Sequence, residues 1–337
     1  DIFHNLHLFA NPIDKFRPSD KEIQRALKKK KGSNLIYFGP GVHNLPNDTL
    51  FVPSGTTVYI DGGARVYGNI FTEGAHDVNI FGRGEVHPDG RGAGVWVRRS
   101  KNVRIDGIVV SQLPIGQCDS VELTNVKSIS YYGWGDGMDV FSSSNVILDG
   151  VFCRNSDDCA AVYASTQGFK GGSNNVLVKN ATLWADVAHP INIGGHGDPN
   201  GMDTVQNVTF RNIDILDQAE KQVDYQGCLA INPGDNTLVR NITFENIRIE
   251  DFRNGQLVNF RISFNPKYCV STGRGIQNVL VKDVTYNGSG ENLSIIAGYD
   301  ENHKISGIRF VNLVVNGRKI TDDMPGKPKW YKTGDMA

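Results

Sequence analysis

One short pattern recurs along this chain: Asn or Asp, then Val or Ile, any residue, and a second apolar residue. It stands at Asp77-Val78-Asn79-Ile80, Asn102-Val103-Arg104-Ile105, Asn145-Val146-Ile147-Leu148 and Asn175-Val176-Leu177-Val178. It returns at Asn207-Val208-Thr209-Phe210, Asn241-Ile242-Thr243-Phe244 and Asn278-Val279-Leu280-Val281, with a looser copy at Gly307-Ile308-Arg309-Phe310. Asn125-Val126 fills the early gap, so that the Val/Ile markers recur unevenly but without a missing unit from Val78 to Ile308. Alternation with a period of two, inside units of roughly 20 to 40 residues, points to stacked strands, because no unit can bury its own apolar face. Leucine-rich repeats have a tighter consensus, and a propeller blade needs four strands in roughly 40 residues. A right-handed, single-stranded parallel β-helix of all-β class fits best. Asn at the strand entrance tolerates the left-handed conformation of a coil corner and hydrogen-bonds locally. Six Asn-x-Ser/Thr triplets occur, Asn180, Asn207 and Asn241 among them, and most follow from this grammar, which favours it over glycosylation as their reason.

The ends differ. Ser19-Asp20-Lys21-Glu22 has the form of a capping box and opens a helix expected over residues 19–30, which closes the exposed end of the stack. The lysine run 28–31 reads as the solvated end of that helix. Residues 1–18 read as a leading extended strand or interdomain linker, and residues 19–337 as the β-helix. The chain begins at Asp1 without methionine or leader, as a processed chain or a fragment would.

Composition excludes several classes. With 35 basic and 36 acidic residues the chain carries no broad field for nucleic acid or an anionic membrane, and no apolar run approaches a membrane span. Five cysteines without metal-type spacing read as buried thiols, not as a disulfide framework. No metal or organic cofactor is expected, and the chain reads as a monomer.

The repeat also carries a chemical argument. Asp136 follows the marker Val126 at nearly the same offset as Asp157 and Asp158 follow Val146 and as His189 follows Val176. Equivalent positions on adjacent coils sit about 4.8 Å apart, so the four are expected in one column on one face. Carboxylates so close raise each other's pKa, which is what a general acid and base pair needs. A Ca²⁺ site or solvent-facing turn aspartates are the alternatives. Gly135 and Gly137 flank Asp136 and are read as room for a bulky ligand. Trp134, Tyr163, Trp184 and Tyr225 are sugar-platform or core candidates. Asp139, His196 and Arg261 complete the candidate binding set. Loops 163–175, 194–206 and 217–227 are expected to set substrate choice.

At these residues the chain resembles the polygalacturonase clan of glycoside hydrolases, families 28 and 49. The resemblance rests on Gly135-Asp136-Gly137-Met138-Asp139, on Asp157-Asp158-Cys159-Ala160-Ala161-Val162, and on His189-Pro190-Ile191-Asn192-Ile193-Gly194. It implies that Asp157 is the general acid, that Asp136 and Asp158 activate water with inversion, and that His189 holds Asp158 in its working state. It also implies a polysaccharide or oligosaccharide substrate and a secreted or periplasmic enzyme. The chain departs from the family where Trp134-Gly135 and Pro190 replace its usual residues. The family's uronate-binding Arg-Ile-Lys element is matched at best by Gly227-Cys228-Leu229-Ala230-Ile231-Asn232, which has no cation, or by Arg261-Ile262-Ser263. A buried carboxylate without a cationic partner is expensive. A neutral, dextranase-like glycan is therefore expected, with polygalacturonase-type pectin hydrolysis as the alternative. A β-helix lyase and a non-catalytic glycan-binding β-helix are the rivals from other classes. The segment Leu8-Phe9-Ala10-Asn11-Pro12 resembles the linker that follows a β-sandwich domain in dextranase-like members.

Overall fold

The computed structural model describes residues 5–28, 33–222, 225, 227–290, 292–324 and 331–334. The marker residues stack as expected: Val103 pairs with Val78, Val146 with Val176, and Val208, Ile242, Val279 and Ile308 follow in parallel register. The fold is a right-handed parallel β-helix. One marker is corrected. Val121, not Val126, pairs with both Val103 and Val146, so the early markers are Val78, Val103, Val121 and Val146. Val121 escapes the sequence pattern because Ser120, not Asn, precedes it; Ser120 nonetheless takes the same left-handed conformation (φ 61°).

Each coil contributes to three strand stacks. The first holds the markers. A second follows a corner and runs through Cys153, Leu183 and, on later coils, Ile249 and Tyr286. The third links Val97, Ile115, Val140, Val162, Ile193, Ile231, Phe260 and Ile296, and carries the candidate site at its edge. The inward residues of the three stacks are buried and mostly aliphatic, joined by Phe210, Phe244 and Phe260, except on the last coil, where Ile308 is half-buried. Each such side chain stabilises the stack by about 1.5–3 kcal/mol. All five cysteines are buried free thiols.

Asn holds the corners in two ladders. Asn145, Asn175, Asn207, Asn241 and Asn278 all lie at φ between 56° and 57°. Along this ladder Asn241 Nδ2 donates to Asn207 Oδ1 (3.1 Å), and Asn207 Nδ2 to Asn174 Oδ1 (2.8 Å). A second ladder, at the bend between the first two stacks, joins Asn246 to Asn212 (3.2 Å) and Asn212 to Asn180 (2.7 Å).

The helix spans Asp20–Leu27, with Ser19 as N-cap and Glu22 closing the capping box; residues 29–31 of the lysine run lie outside the described residues. Residues 5–18 form no strand. They lie instead as a strap along the side of the coils. Phe16 stacks on Phe81 (4.2 Å), Tyr59 Oη donates to Asp14 Oδ2 (2.6 Å), and Phe9 packs on Phe152 (5.1 Å). Side-chain anchoring replaces the edge pairing that an extended strand needs.

The corner geometry gives a stability prediction. Asn207→Ala loses both ladder bonds and strains a left-handed residue, and is expected to cost about 2 kcal/mol. Asn207→Gly loses the bonds without the strain and costs roughly half as much. Urea unfolding of the two variants checks the order; equal costs would mean that the backbone conformation contributes nothing.

Candidate active site

The third stack sets the register of the site. Val140, Val162 and Ile193 are paired, and the residues four positions before them are Asp136, Asp158 and His189. The coils stay locked up to that point: Gly137 N donates to Asp158 O, and Cys159 N to His189 O, both at 2.8 Å. Asp157 sits one residue ahead of this column. The flanking glycines serve the protein rather than a ligand, which corrects the expectation. A Cβ on Gly137 would lie 2.2 Å from the Cys159 carbonyl oxygen, and one on Gly135 would lie 2.4 Å from Ser156 Oγ. Asn155 ties the coils together beneath, donating from Nδ2 to Ser128 Oγ, Ser130 Oγ and Asp136 O (3.0–3.1 Å).

One oxygen of each of Asp136, Asp157 and Asp158 lies within 4.8 Å of the others. Asp158 is the most enclosed, and four donors converge on it. Oδ1 accepts from His189 Nδ1 (2.7 Å) and His189 N (3.1 Å); Oδ2 accepts from Tyr163 Oη (2.6 Å) and Asn192 Nδ2 (2.9 Å). The other ring nitrogen of His189 faces the Tyr225 carbonyl oxygen (2.8 Å), so both nitrogens meet acceptors. That arrangement favours imidazolium. Burial opposes charge on both partners. The His189 cation and the converging donors nevertheless bring Asp158 down to about 2, and the Asp158 carboxylate holds His189 above the usual imidazole range.

This fixed anion acts on its neighbours. Burial first, and then the charge of Asp158, pushes Asp157 up to about 7. Asp136 is raised well above the carboxylate range, by burial and then by Asp157 and Asp158. Such a cluster can hold one shared proton while keeping one permanent negative charge. Among the described residues it is also the grouping whose ligand atoms converge as a metal site's would. Asp158, with its lone pairs already occupied, is a poor ligand.

The other candidates divide. Trp134 is 67% exposed at the lip, in a left-handed conformation (φ 64°) secured by Gln112 Nε2 donating to its carbonyl oxygen (2.8 Å). Tyr163 is buried; its hydroxyl clasps Asp158 instead of presenting a face to sugar. Tyr225 meets the His189 ring edge-on at 5.2 Å, and His196 meets Tyr163 edge-on at 5.0 Å. Asp139 is buried under the carboxylates, next to Val140 of the sheet, so it is no surface contact; burial and the three neighbouring aspartates raise it. Trp184 is not brought to the cluster. It points to the side of the coils, where Arg154 covers its face (4.2 Å) and His7 of the strap its edge (6.1 Å). Arg154 turns the same way and pairs with Asp186 (2.9 Å), leaving the carboxylates without its charge. Arg261 shares the sheet with Tyr163 but lies three coils further on, roughly 14 Å away.

Of the three expanded loops, 194–206 brings His196 and 217–227 brings Tyr225 and Glu220, while residues 223, 224 and 226 lie outside the described residues. Loop 163–175 tucks Phe169 into the space left by Gly116. Sequence reasoning missed Asn192, which donates to both Asp158 and Tyr163 Oη, and Tyr268, which stacks on Tyr225 at 5.4 Å. The signal for Asn192 is a lone polar residue between two inward isoleucines, three positions after His189.

The model of the family "Glycosyl hydrolases family 28" matches residues 95–325. A polygalacturonase of Juniperus ashei is 26% identical over 295 residues, covering 77% of this chain and 54% of that protein. The chain spans about half the length of the curated relatives it matches. Among solved structures, the family 28 exopolygalacturonase of Yersinia enterocolitica superposes with a TM-score of 0.67 at 13% identity, covering 94% of this chain and 74% of that one. Dex49A from Penicillium minioluteum superposes with a TM-score of 0.59 at 14% identity, over 90% of this chain and 60% of that one. These likenesses show the fold.

The raised Asp157 carboxyl links stability to pH. The unfolded chain loses this proton near pH 4, whereas the folded protein keeps it to about 7. Folded protein therefore binds the extra proton between those values, and the stability it contributes falls as pH rises through that window. Asp157→Asn is expected to flatten the decline, so that its thermal midpoint gains on the parent's as pH rises from about 4 to about 7. Parallel curves would show that the carboxyl is not raised.

Proposed function

The chain belongs to glycosyl hydrolases family 28, and from that premise we propose that it hydrolyses a galacturonate-containing polysaccharide with inversion at the anomeric carbon. The observation that carries the reading is the pair of raised carboxyls, Asp136 and Asp157, beside an Asp158 held ionised by four donors. Asp157, titrating near neutrality, keeps the proton that a leaving glycosidic oxygen needs. Asp136, sharing the cluster's remaining proton, is the base for an attacking water once Asp157 holds that proton. Asp158 supplies negative charge toward an oxocarbenium-like transition state. Its four acceptor positions are occupied, so it makes a poor proton acceptor and a poor nucleophile.

Carboxyl groups this close suggest retention by separation alone, since inverting pairs commonly stand about 6.5–9.5 Å apart. Retention also needs an ionised carboxylate free to attack. Asp158 is fully engaged and cannot be that nucleophile, which leaves Asp136; inversion has Asp136 act through water, as the resemblance to family 28 implies, and the anomer of the first-formed product decides it.

For the substrate, the relatives are named as polygalacturonases and as xylogalacturonan hydrolases. They favour a pectic polymer over the neutral glycan expected from the missing cation pair. A neutral glycan is the second reading, favoured by the cation-free strand Leu229–Ile231. A polymeric substrate of either kind places the working enzyme outside the cytoplasm, secreted or periplasmic.

Reducing-sugar release from polygalacturonate, xylogalacturonan and dextran separates the readings, with NMR of the first-formed anomer giving the stereochemistry. Turnover is expected on a galacturonan with an inverted product, and kcat falling as pH rises past about 7, where Asp157 loses its proton. Asp157→Asn is expected to lower kcat by about 10²–10⁴-fold. Hydrolysis confined to dextran would reverse the substrate reading, and a retained anomer the mechanism.

A further inference from the structure

We propose that Lys267, at the edge of a paired tyrosine wall, is the cation that binds the carboxylate of an acidic sugar beside the scissile bond. The inference rests on the galacturonan reading above and names the residue that makes it physically workable. Among the described residues the sheet strands bring no lysine or arginine to the carboxylates: Arg261 is three coils away, and Arg154 is turned to Asp186. Arg98, on the opposite side of the cluster, pairs with Glu73. A positive group must therefore come from a loop.

Contacts lead from the catalytic column to such a group. The His189 ring meets Tyr225 edge-on at 5.2 Å, Tyr225 stacks on Tyr268 at 5.4 Å and 17°, and Lys267 Nζ lies 4.7 Å from the centre of the Tyr268 ring. The wall is built rather than incidental. Gln222 Nε2 donates to Tyr268 Oη (3.3 Å), while Gln222 N is held by Glu220 Oε1 (2.7 Å). Beyond the tyrosine, buried Cys269 donates from Sγ to Gly195 O (3.3 Å), and Asp235 Oδ1 accepts from Val270 N (2.7 Å) and Ser271 N (3.1 Å). A turn in which Asn265 Oδ1 accepts from Lys267 N (3.2 Å), and Asn265 O from Tyr268 N (3.0 Å), projects the lysine outward.

Its hydrogen bond to Tyr268 first, and then the fields of Glu220 and Asp157, raise the exposed ammonium above the usual lysine range, and both acids belong to the site itself. A tyrosine face suits the apolar face of a sugar ring, and a cation at its rim suits a carboxylate on that ring. A flexible ammonium in solvent makes a point-charge contact, so its contribution falls with ionic strength. The bland alternative is a solvated lysine that merely balances Glu220, and it makes no difference between acidic and neutral substrates.

The test uses the whole chain with two α-1,4-linked galacturonate oligomers of equal length, one acidic and one fully methyl-esterified. Lys267→Met is expected to raise KM for the acidic oligomer roughly tenfold, to change kcat less, and to leave the ester within about twofold. Lys267→Arg is expected to restore most of the acidic preference, and added salt to weaken the parent toward the level of Lys267→Met. Unchanged thermal midpoints establish that the variants are folded. A parent that prefers the acidic oligomer, with Lys267→Met keeping that preference, would overturn the lysine assignment and leave the functional reading intact. A parent that cleaves neither oligomer, and no xylogalacturonan either, would overturn both.

Discussion

Every coil of this molecule is positioned by parallel hydrogen bonding to the coil before it, and the spacing of that ladder governs everything built on it. Strands about 4.8 Å apart bring side chains of equivalent position close together whatever their chemistry. In the core this yields columns of aliphatic residues. At the corners it yields columns of Asn, each left-handed and each donating to a neighbour. At the edge of the third stack it yields Asp136, Asp158 and His189 one above another, with no segment devoted to assembling them. Loops vary in length between coils because nothing in the ladder constrains them.

Forcing three carboxyls together is unfavourable, and the same ladder supplies the remedy. The coil after Asp158 brings both His189 and Asn192, and the strand that follows Asp158 brings Tyr163, so three side chains and one backbone amide settle on a single carboxylate. Burial first, and then the charges of the neighbouring carboxylates, push Asp157 up to about 7 and Asp136 well above the usual carboxylate range. Asp139, buried below and also raised, adds to the concentration of protonatable groups without reaching the surface.

The regular parts of this arrangement were legible in the sequence. The Asn-Val pattern gave the coils, Ser19 and Glu22 gave the helix start, and the spacing of Asp136, Asp157, Asp158 and His189 gave the column. The marker error at Val126 did not disturb the column, because the true register comes from Val140, Val162 and Ile193 in a different stack. Side-chain direction was less legible. Tyr163 and Trp184 are both aromatic and both close to the column in sequence. One points at Asp158 and the other at Arg154, because they lie in different stacks facing different ways.

The sequence by itself determined the repeat, and with it the strand stacking and the clustering of carboxyls, since these depend on local conformation and on a spacing that parallel pairing enforces. Tertiary structure alone decided which donors close on Asp158, why Gly135 and Gly137 must be small, and which cation stands near the site. Those outcomes depend on loops of unequal length folding back over the sheet. Lys267 lies several coils beyond Asp158 in the chain; it is brought toward the site by a tyrosine stack that no local pattern encodes.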